Sequence, residues 1–374
     1  MAHIEDRWKA ELGRKDHGKR WRVRYRDPAG KHRNRSFDRR TDAERFSREV
    51  ARDLDLGTFI DPKAGKITFG EYATRWLSAA PDLQDRTIEN YDGIIRNHLA
   101  PAIGQTPLTM LRPTHFRNLI KDTQNQGLAE PTVRRIARLA STILATAVND
   151  RILAANPTDG VRLPRETPRE MRFLTAHELS QLVDSIYPHY RTYVLAAGVL
   201  GARSGELRGL HPKNLNLLRS QVHITEQLEE LDGKLRRKAP KTAAATRNVT
   251  IPRFLIADLE DQLANRSSSE FVFTTPQGTP IRASNFNRRI WKQGVAASGL
   301  DDLRFHDLRH TAASLAIGVG AHPKAIQERL GHSSITVTLD RYGHLFPALD
   351  EVLAQRIEDT YGEVLASHTR PKAI

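Results

Sequence analysis

Residues 303–344, LRFHDLRHTAASLAIGVGAHPKAIQERLGHSSITVTLDRYGH, crowd several chemically capable side chains into one short stretch. His306 and His332 offer imidazoles that carry protons near neutral pH, and Arg309 offers a planar guanidinium that can fork onto an oxyanion. Tyr342 adds a phenol, whose reference pKa of about 10 makes it a poor nucleophile at neutral pH unless its surroundings help it. Helical spacing puts His306 and Arg309 on one face, while Leu308, Ala312, Leu315 and Ala316 fall on another and are available to pack. Pro323 stands where a second helix can start and Gly331 where it stops, with His332 immediately beyond. Ser333 or Ser334 can then cap a third helix that carries Tyr342 about two turns later.

HDLRH, then LGHSS, then a tyrosine ten residues past the histidine resemble the active-site signature of the tyrosine recombinases, the phage integrase family. Two upstream segments extend the likeness. YVLAAGVLGARSGELRGL reads as a buried helix, a break at Gly201 and a new amphipathic turn; taken alone, Arg203 beside Glu206 is an ion pair across a helix start. LGARSGEL is similar to the family segment bearing the first catalytic arginine, which maps to Arg203, with Glu206 as a nearby acid that holds the fold. PKT followed by TRNVTIP is similar to the strand pair bearing the catalytic lysine. That lysine maps to Lys241, with Lys234 and Lys238 as neighbours that otherwise read as surface charge.

The resemblance spans roughly residues 67–350 and implies a catalytic set of Arg203, Lys241, His306, Arg309, His332 and Tyr342. Phosphodiester cleavage by a side chain needs a nucleophile, charge relief on the phosphoryl oxygens and a proton for the leaving alkoxide. Arg203 and Arg309 would clamp the non-bridging oxygens. Lys241 would protonate the departing 5′-oxygen, His306 would act as base or proton relay for Tyr342, and His332 would hydrogen-bond the phosphate. The implied product is a 3′-phosphotyrosyl link, which a second strand's 5′-hydroxyl can attack without ATP. The scheme requires no metal and no cofactor. Its implied partners are double-stranded DNA at attachment sites, a homotetramer spanning two such sites, and an accessory DNA-bending or directionality factor. The implied setting is the bacterial cytoplasm or nucleoid.

Composition agrees with a polyanionic partner. The 374 residues carry a formal charge of +14, with a pI near 10.1, and Arg outnumbers Lys; nucleic acid is the most economical such partner. Cysteine is absent, which removes disulfides, thiolate metal sites and a Cys nucleophile. No apolar run approaches the roughly 20 residues of a membrane span. Residues 1–66 hold 19 Lys and Arg against 12 Asp and Glu. Within them RWRVRYR alternates as a strand, with Arg20, Arg22, Arg24 and Arg26 on one face and Trp21, Val23 and Tyr25 on the other.

DPAG signals a type I turn, KHRNRSF a returning strand, and Thr41 with Glu44 a capping box opening a helix through about Leu56 to Gly57. This module resembles the arm-type DNA-binding domain that many integrases carry. Residues 67–155 read as a helical bundle, opened by a Thr68–Glu71 capping box and closed by a helix carrying Arg134, Arg135 and Arg138 beside an apolar stripe. By resemblance this is the core-binding domain. NPTDGVRLPRETPRE is the best linker, placed at 156–170, and 171–374 is the catalytic domain, with strands around an Asp232–Gly233 turn. The expected fold is multidomain α+β: a basic sheet-plus-helix module, a helical bundle, and a mainly α-helical catalytic domain with a small sheet.

Three rivals weigh less. His306 and His310 have zinc-pair spacing, but Asp307 replaces the Glu of a zinc-hydrolase motif and no third ligand is apparent. A DNA-binding relative that lost catalysis finds no support, because all six expected side chains are present in the expected order. A nicking-closing topoisomerase shares the chemistry, but the added arm-type module favours recombination between specific sites, for integration or excision of a mobile element.

Overall fold

Alternation in residues 21–26 folds as expected into a strand whose Val23 and Tyr25 are buried while Arg24 and Arg26 face out. The computed structural model describes residues 3–10, 18–27, 30–55, 59, 66–165, 170–240, 243–264, 271–346 and 349–369. Its contacts divide the chain into two units, 1–168 and 169–374.

In the first unit, β1 (His3–Asp6), β2 (Trp21–Arg26) and β3 (His32–Phe37) form an antiparallel sheet in that order, and α1 (Arg40–Asp55) covers one face. Val23, Tyr25, Ala43, Val50 and Phe59 make its small core. β1 was not expected, because HIED lacks the alternation that marked β2. Gly30 N–H donates to Asp27 O at 2.8 Å across the DPAG turn, whose Pro28 and Ala29 lie outside the described residues. α1 begins at Arg40, so Thr41 and Glu44 sit inside it rather than forming the expected capping box; Glu44 instead accepts from Arg40 Nε at 2.8 Å. The expected helix end at Leu56 and Gly57 also lies outside the described residues.

A separate apolar cluster joins α2 (Phe69–Ser78), α3 (Asp85–Ile94), α4 (Pro113–Asn125) and α5 (Glu130–Asn149). The Thr68–Glu71 capping box forms at the head of α2, satisfying two of the amide donors that a helix start leaves orphaned. Phe69, Leu99, Leu108, Phe116, Ile136 and Ile143 fill the core. Two buried polar tips are tied off: Tyr72 OH donates to Asp150 at 2.6 Å and Trp76 Nε1 to Thr146 Oγ1 at 3.1 Å. The first part of the Pro-rich 156–170 stretch lies against α5, where Asn156 Nδ2 donates to Ser141 O at 3.1 Å and Thr158 Oγ1 meets Ser141 Oγ at 2.8 Å.

The second unit is mainly helical with small sheets. Its elements begin with α6 (Ala176–Ser185), capped by Thr175 and Glu178, then α7 (Arg191–Leu200) and α8 (Ser204–Arg208). β4 (Leu215–Asn216), β5 (Gln221–Ile224) and, later, β8 (Arg247–Thr250) make one antiparallel sheet. β6 (Gln227–Leu231) and β7 (Lys234–Lys238) pair as a separate hairpin. Its two-residue turn holds Asp232 at φ 49° and Gly233 at φ 69°, the left-handed pair that a type I′ hairpin demands. α9 (Ile256–Ala264) follows, then a helical stretch over residues 283–297. α10 (Asp307–Gly318), α11 (Pro323–Leu330), α12 (Ile335–Tyr342) and α13 (Leu349–Thr369) complete the chain. α7 and α10 cross the centre of this unit, with Leu182, Tyr193, Val194, Leu200, Phe273 and Leu308 almost wholly buried around them.

Candidate active site

Two left-handed glycines prepare the ground. Gly201 (φ 67°) ends α7 and Gly331 (φ 68°) ends α11, the conformation in which only glycine avoids a steric penalty. Neither position has room to spare. A Cβ on Gly201 would approach Leu330 Cδ2 to 2.6 Å, and one on Gly331 would meet Arg247 Nη1 at 2.9 Å and Ala244 O at 3.0 Å. A helix end leaves carbonyls without helical partners and carries a partial negative charge, so it is a natural seat for a cation. The structure uses both ends in this way. Arg309 Nη1 donates to Gly201 O and Nη2 to Leu330 O, each at 2.6 Å. Arg203 Nη2 reaches Gly331 O at 3.5 Å, while its Nη1 donates to Glu206 Oε1 at 2.8 Å.

Arg309 is 3 % exposed and, among the described residues, no carboxylate lies within ion-pair distance of it. Its hydrogen-bond partners are the carbonyls of Gly201 and Leu330. Burial and then repulsion from Arg203 push its pKa down, against an opposing pull from Glu206. The local charge is unbalanced: Arg203, Arg247 and Arg309 surround the single carboxylate of Glu206. Burial pushes the Glu206 carboxyl up, but hydrogen bonds and charge from Arg247, and then Arg203, more than offset it and hold the group below the usual carboxylate range. An excess of buried positive charge is a site built for an anion.

α11 and α12 bring in the remaining groups. Ser334 caps α12 by accepting from Thr336 N, and the helix ends on Tyr342, whose side chain is wholly buried. His332 stacks parallel to the Tyr342 ring, with centroids 6.4 Å apart and an 11° interplanar angle. Its Nδ1 meets Thr338 Oγ1 at 2.9 Å. Burial, then the charges of Arg309 and Arg203, push the His332 pKa down to about 3. At neutral pH it is therefore an uncharged ring; with Nδ1 accepting from the Thr338 hydroxyl, it keeps Nε2–H to donate.

The Tyr342 hydroxyl lies 2.8 Å from Nδ1 of His310, not of His306. His306 occupies the N-cap of α10, is exposed, and stands edge-on to the His310 ring with centroids 5.1 Å apart. The sequence-based expectation made His306 the base or proton relay for Tyr342; the ring in contact with the hydroxyl is that of His310. The reason is axial: position 310 lies on the same face one turn further into α10, where it is buried against the last residue of α12, whereas position 306 stands at the exposed N-cap. Burial pushes the phenol of Tyr342 above its ordinary range, with Arg309 and Arg341 pulling the other way.

Lys241 lies outside the described residues, in the connection between β7 and β8. Its neighbour Lys238 is paired with Glu229 at 3.4 Å. No group of three or more potential metal ligands occurs among the described residues.

Two contributors escaped the sequence reading. Arg247 is buried, bonds Glu206 with Nη1 and Nη2 at 3.2 and 2.9 Å, and donates from Nε to Arg329 O at 2.7 Å. The available signal was strand parity, which puts Arg247 on the inward face with Val249. Phe173 packs edge-on to both His310 and Tyr342, with centroids 6.5 and 6.4 Å away; nothing local to MRFLT marks it.

Of the arginines expected on DNA, Arg20 pairs with Asp6 at 2.9 Å and lies over the Trp8 and Trp21 rings. Glu5 takes Arg24 at 3.0 Å and Arg22 at 3.8 Å. The unexpected strand β1 supplies both acids. Arg26, Arg135 and Arg138 are exposed, while Arg134 is half-buried and donates to Pro164 O.

Comparison with known proteins follows the same division. Residues 172–348 match the phage integrase family, and residues 68–123 match the N-terminal SAM-like domain of phage integrases. The chain is similar to the integrase of Mycobacterium phage D29, 29% identical over 354 residues, which cover 88% of this chain and 90% of that protein. It is 28% identical over 312 residues to the ICEBs1 integrase of Bacillus subtilis, covering 79% and 84%. Among solved structures, the Tn1549 transposon integrase in complex with a circular intermediate DNA superposes with a TM-score of 0.68 at 19% identity, covering 78% of this chain and 98% of that one. A lambda integrase tetramer bound to a Holliday junction gives 0.59 at 19% identity, covering 87% and 92%.

Proposed function

The chain belongs to the tyrosine recombinase, or phage integrase, family, and from that premise we propose how its residues perform site-specific DNA strand exchange for integration or excision of a mobile element. The observation that carries the assignment of residues is the burial of one phenol, Tyr342, in the same cluster as the uncompensated guanidinium of Arg309. A phosphodiester is the anion that suits this pair. Arg203 and Arg309 bind its non-bridging oxygens, and His332 donates to one of them from Nε2. The Tyr342 oxygen attacks phosphorus as the bond to the 5′-oxygen breaks. Lys241 supplies the proton for that oxygen, and His306 belongs to the proton path on the tyrosine side. A 3′-phosphotyrosyl link and a free 5′-hydroxyl result, and a second strand's 5′-hydroxyl reverses the step. No resident metal or cofactor takes part in this scheme.

We assign residues 1–66 to arm-type DNA binding, 67–155 to core-site binding, 156–170 to a linker and 171–374 to catalysis. The assembly is a homotetramer on two attachment sites, supported by the fold shared with an integrase solved as a tetramer on a Holliday junction. An accessory DNA-bending or directionality factor would set the balance between integration and excision. The apolar residues after Tyr342 divide: Leu345 and Phe346 pack beside it, whereas Ile357 is 44% exposed. The side chains of Leu349, Val352 and Leu353 lie outside the described residues. Among the described residues no helix is long and apolar enough to cross a membrane; the reaction belongs where bacterial DNA is, in the cytoplasm or nucleoid.

The test uses DNA flanking the protein's own gene, incubated with the protein in EDTA and quenched in detergent. Protein covalently joined to a 3′-phosphate is expected, and the mapped end gives the attachment site. Cleavage that appears only on adding a metal ion would overturn the mechanism. Deleting residues 1–60 is expected to weaken affinity and to flatten its salt dependence, because fewer phosphates are neutralised, while leaving the rate of cleavage from the bound state within about threefold. Titrating binding against salt for both proteins measures the slopes.

A further inference from the structure

We propose that His310 is a catalytic residue of this recombinase: its Nδ1 receives the proton of the Tyr342 hydroxyl as that oxygen attacks phosphorus. The proposal rests on Tyr342 being the nucleophile, as argued above.

The phenol oxygen and Nδ1 are 2.8 Å apart, within the reach required of a proton acceptor. Both partners are buried, His310 to 5 % exposure and Tyr342 completely, so bulk water does not compete for the proton in this state. The contact is held from three sides. α10 fixes His310, the C-terminal end of α12 fixes Tyr342, and Phe173 packs edge-on against both rings.

The charged and titratable groups that face His310 are His306 and Asp307 on its own helix, Arg304 just before it, and Arg341 and Tyr342 from α12. Asp307 is already bound bidentately by Arg304. Burial, then His306, push the His310 pKa down to about 4, with Asp307 opposing. The ring is thus neutral before DNA binds, and it accepts at Nδ1 when its own proton sits on Nε2. A phosphodiester on Arg203 and Arg309 brings a negative charge next to this cationic neighbourhood, which favours a protonated imidazole. DNA binding would therefore turn a hydrogen-bond acceptor into a base.

The step balances. The Oη–H bond breaks, its proton goes to Nδ1, the Oη–P bond forms, and the 5′-oxygen leaves with a proton from Lys241. On rejoining, the imidazolium returns its proton to the departing phenolate. His306, edge-on to the His310 ring, then acts behind it rather than on the tyrosine itself.

His310→Asn in the full chain tests this, because the amide can still occupy the Nδ1 position but cannot take a proton. Adduct formation on the mapped attachment-site duplex is expected to fall about 100-fold at pH 7, within the usual span for general base catalysis. The deficit is expected to shrink toward pH 10, as hydroxide replaces the missing base. A duplex with sulfur at the 5′-bridging position has a leaving group that needs no proton, so it should rescue Lys241→Ala and leave His310→Asn slow.

His310→Gln provides a second variant, and retained DNA binding and thermal unfolding certify the fold of each. A rate within threefold of wild type, a deficit that does not change with pH, or rescue by the sulfur substrate would each overturn the proposal. An adduct formed by Tyr342→Phe would instead remove the reading on which it rests.

Discussion

Tyr342→Phe binds attachment-site DNA as tightly as the wild type and forms no covalent link to it. The expectation follows from how little the substitution changes. The ring keeps its place between Phe173 and His332, the wholly buried position accepts an isosteric side chain, and no charge near the phosphate is altered. What disappears is the one atom able to attack phosphorus. The hydroxyl also partners His310 Nδ1 at 2.8 Å, so its loss leaves a buried acceptor unsatisfied at a cost of about 1–3 kcal/mol. That penalty appears as a lower unfolding midpoint and does not mimic the catalytic effect, because the folded variant still binds DNA. Detergent-resistant complexes scored beside a binding titration measure both quantities. A residual adduct at even one-hundredth of the wild-type level would identify another nucleophile.

The candidate site was legible in the sequence to the extent that its parts are local. Gly331 after the helical run AIQERL, the Ser cap before ITVTLDRY and the break at Gly201 are backbone signals within a few residues of the groups they place, and each forms as read. The hairpin around Asp232–Gly233 was legible for the same reason: only left-handed residues close such a turn. What was hidden depends on contacts between distant segments. His310 entered the sequence reading only as half of a rejected metal pair, and its contact with the last residue of α12 is long-range. Arg247 drew no reading of its own, yet it joins Glu206, 41 residues away, to a carbonyl of α11, 82 residues away. The strand β1 carries no periodicity of its own and exists because β2 offers it an edge. Its acids then take up arginines that alternation alone had assigned to DNA.

Arg309→Ala is expected to slow cleavage by roughly 100- to 1,000-fold, the scale of losing one oxyanion-hole donor, while DNA binding falls far less. Two separate losses meet at this residue. The first is catalytic: the phosphorane that forms during attack carries more negative charge than the ground-state diester, so a buried guanidinium stabilises the transition state more than the bound substrate. The second is structural. Gly201 O and Leu330 O each lose a donor at 2.6 Å, and those carbonyls stand at the helix ends that lead directly into Arg203 and His332. Arg309→Lys separates the two. An ammonium restores the charge but, as a single point donor, cannot hold both carbonyls and still fork onto the phosphate. Lys should therefore recover part of the lost binding at low salt and little of the cleavage rate. Unfolding midpoints of both variants report the structural loss, and single-turnover adduct formation reports the catalytic one. If Arg309→Lys cleaved at the wild-type rate, charge alone would suffice, and the fixed geometry between two helix ends would have no part in the chemistry. If Arg309→Ala cleaved within tenfold of wild type, the uncompensated cation would not be the phosphate clamp at all.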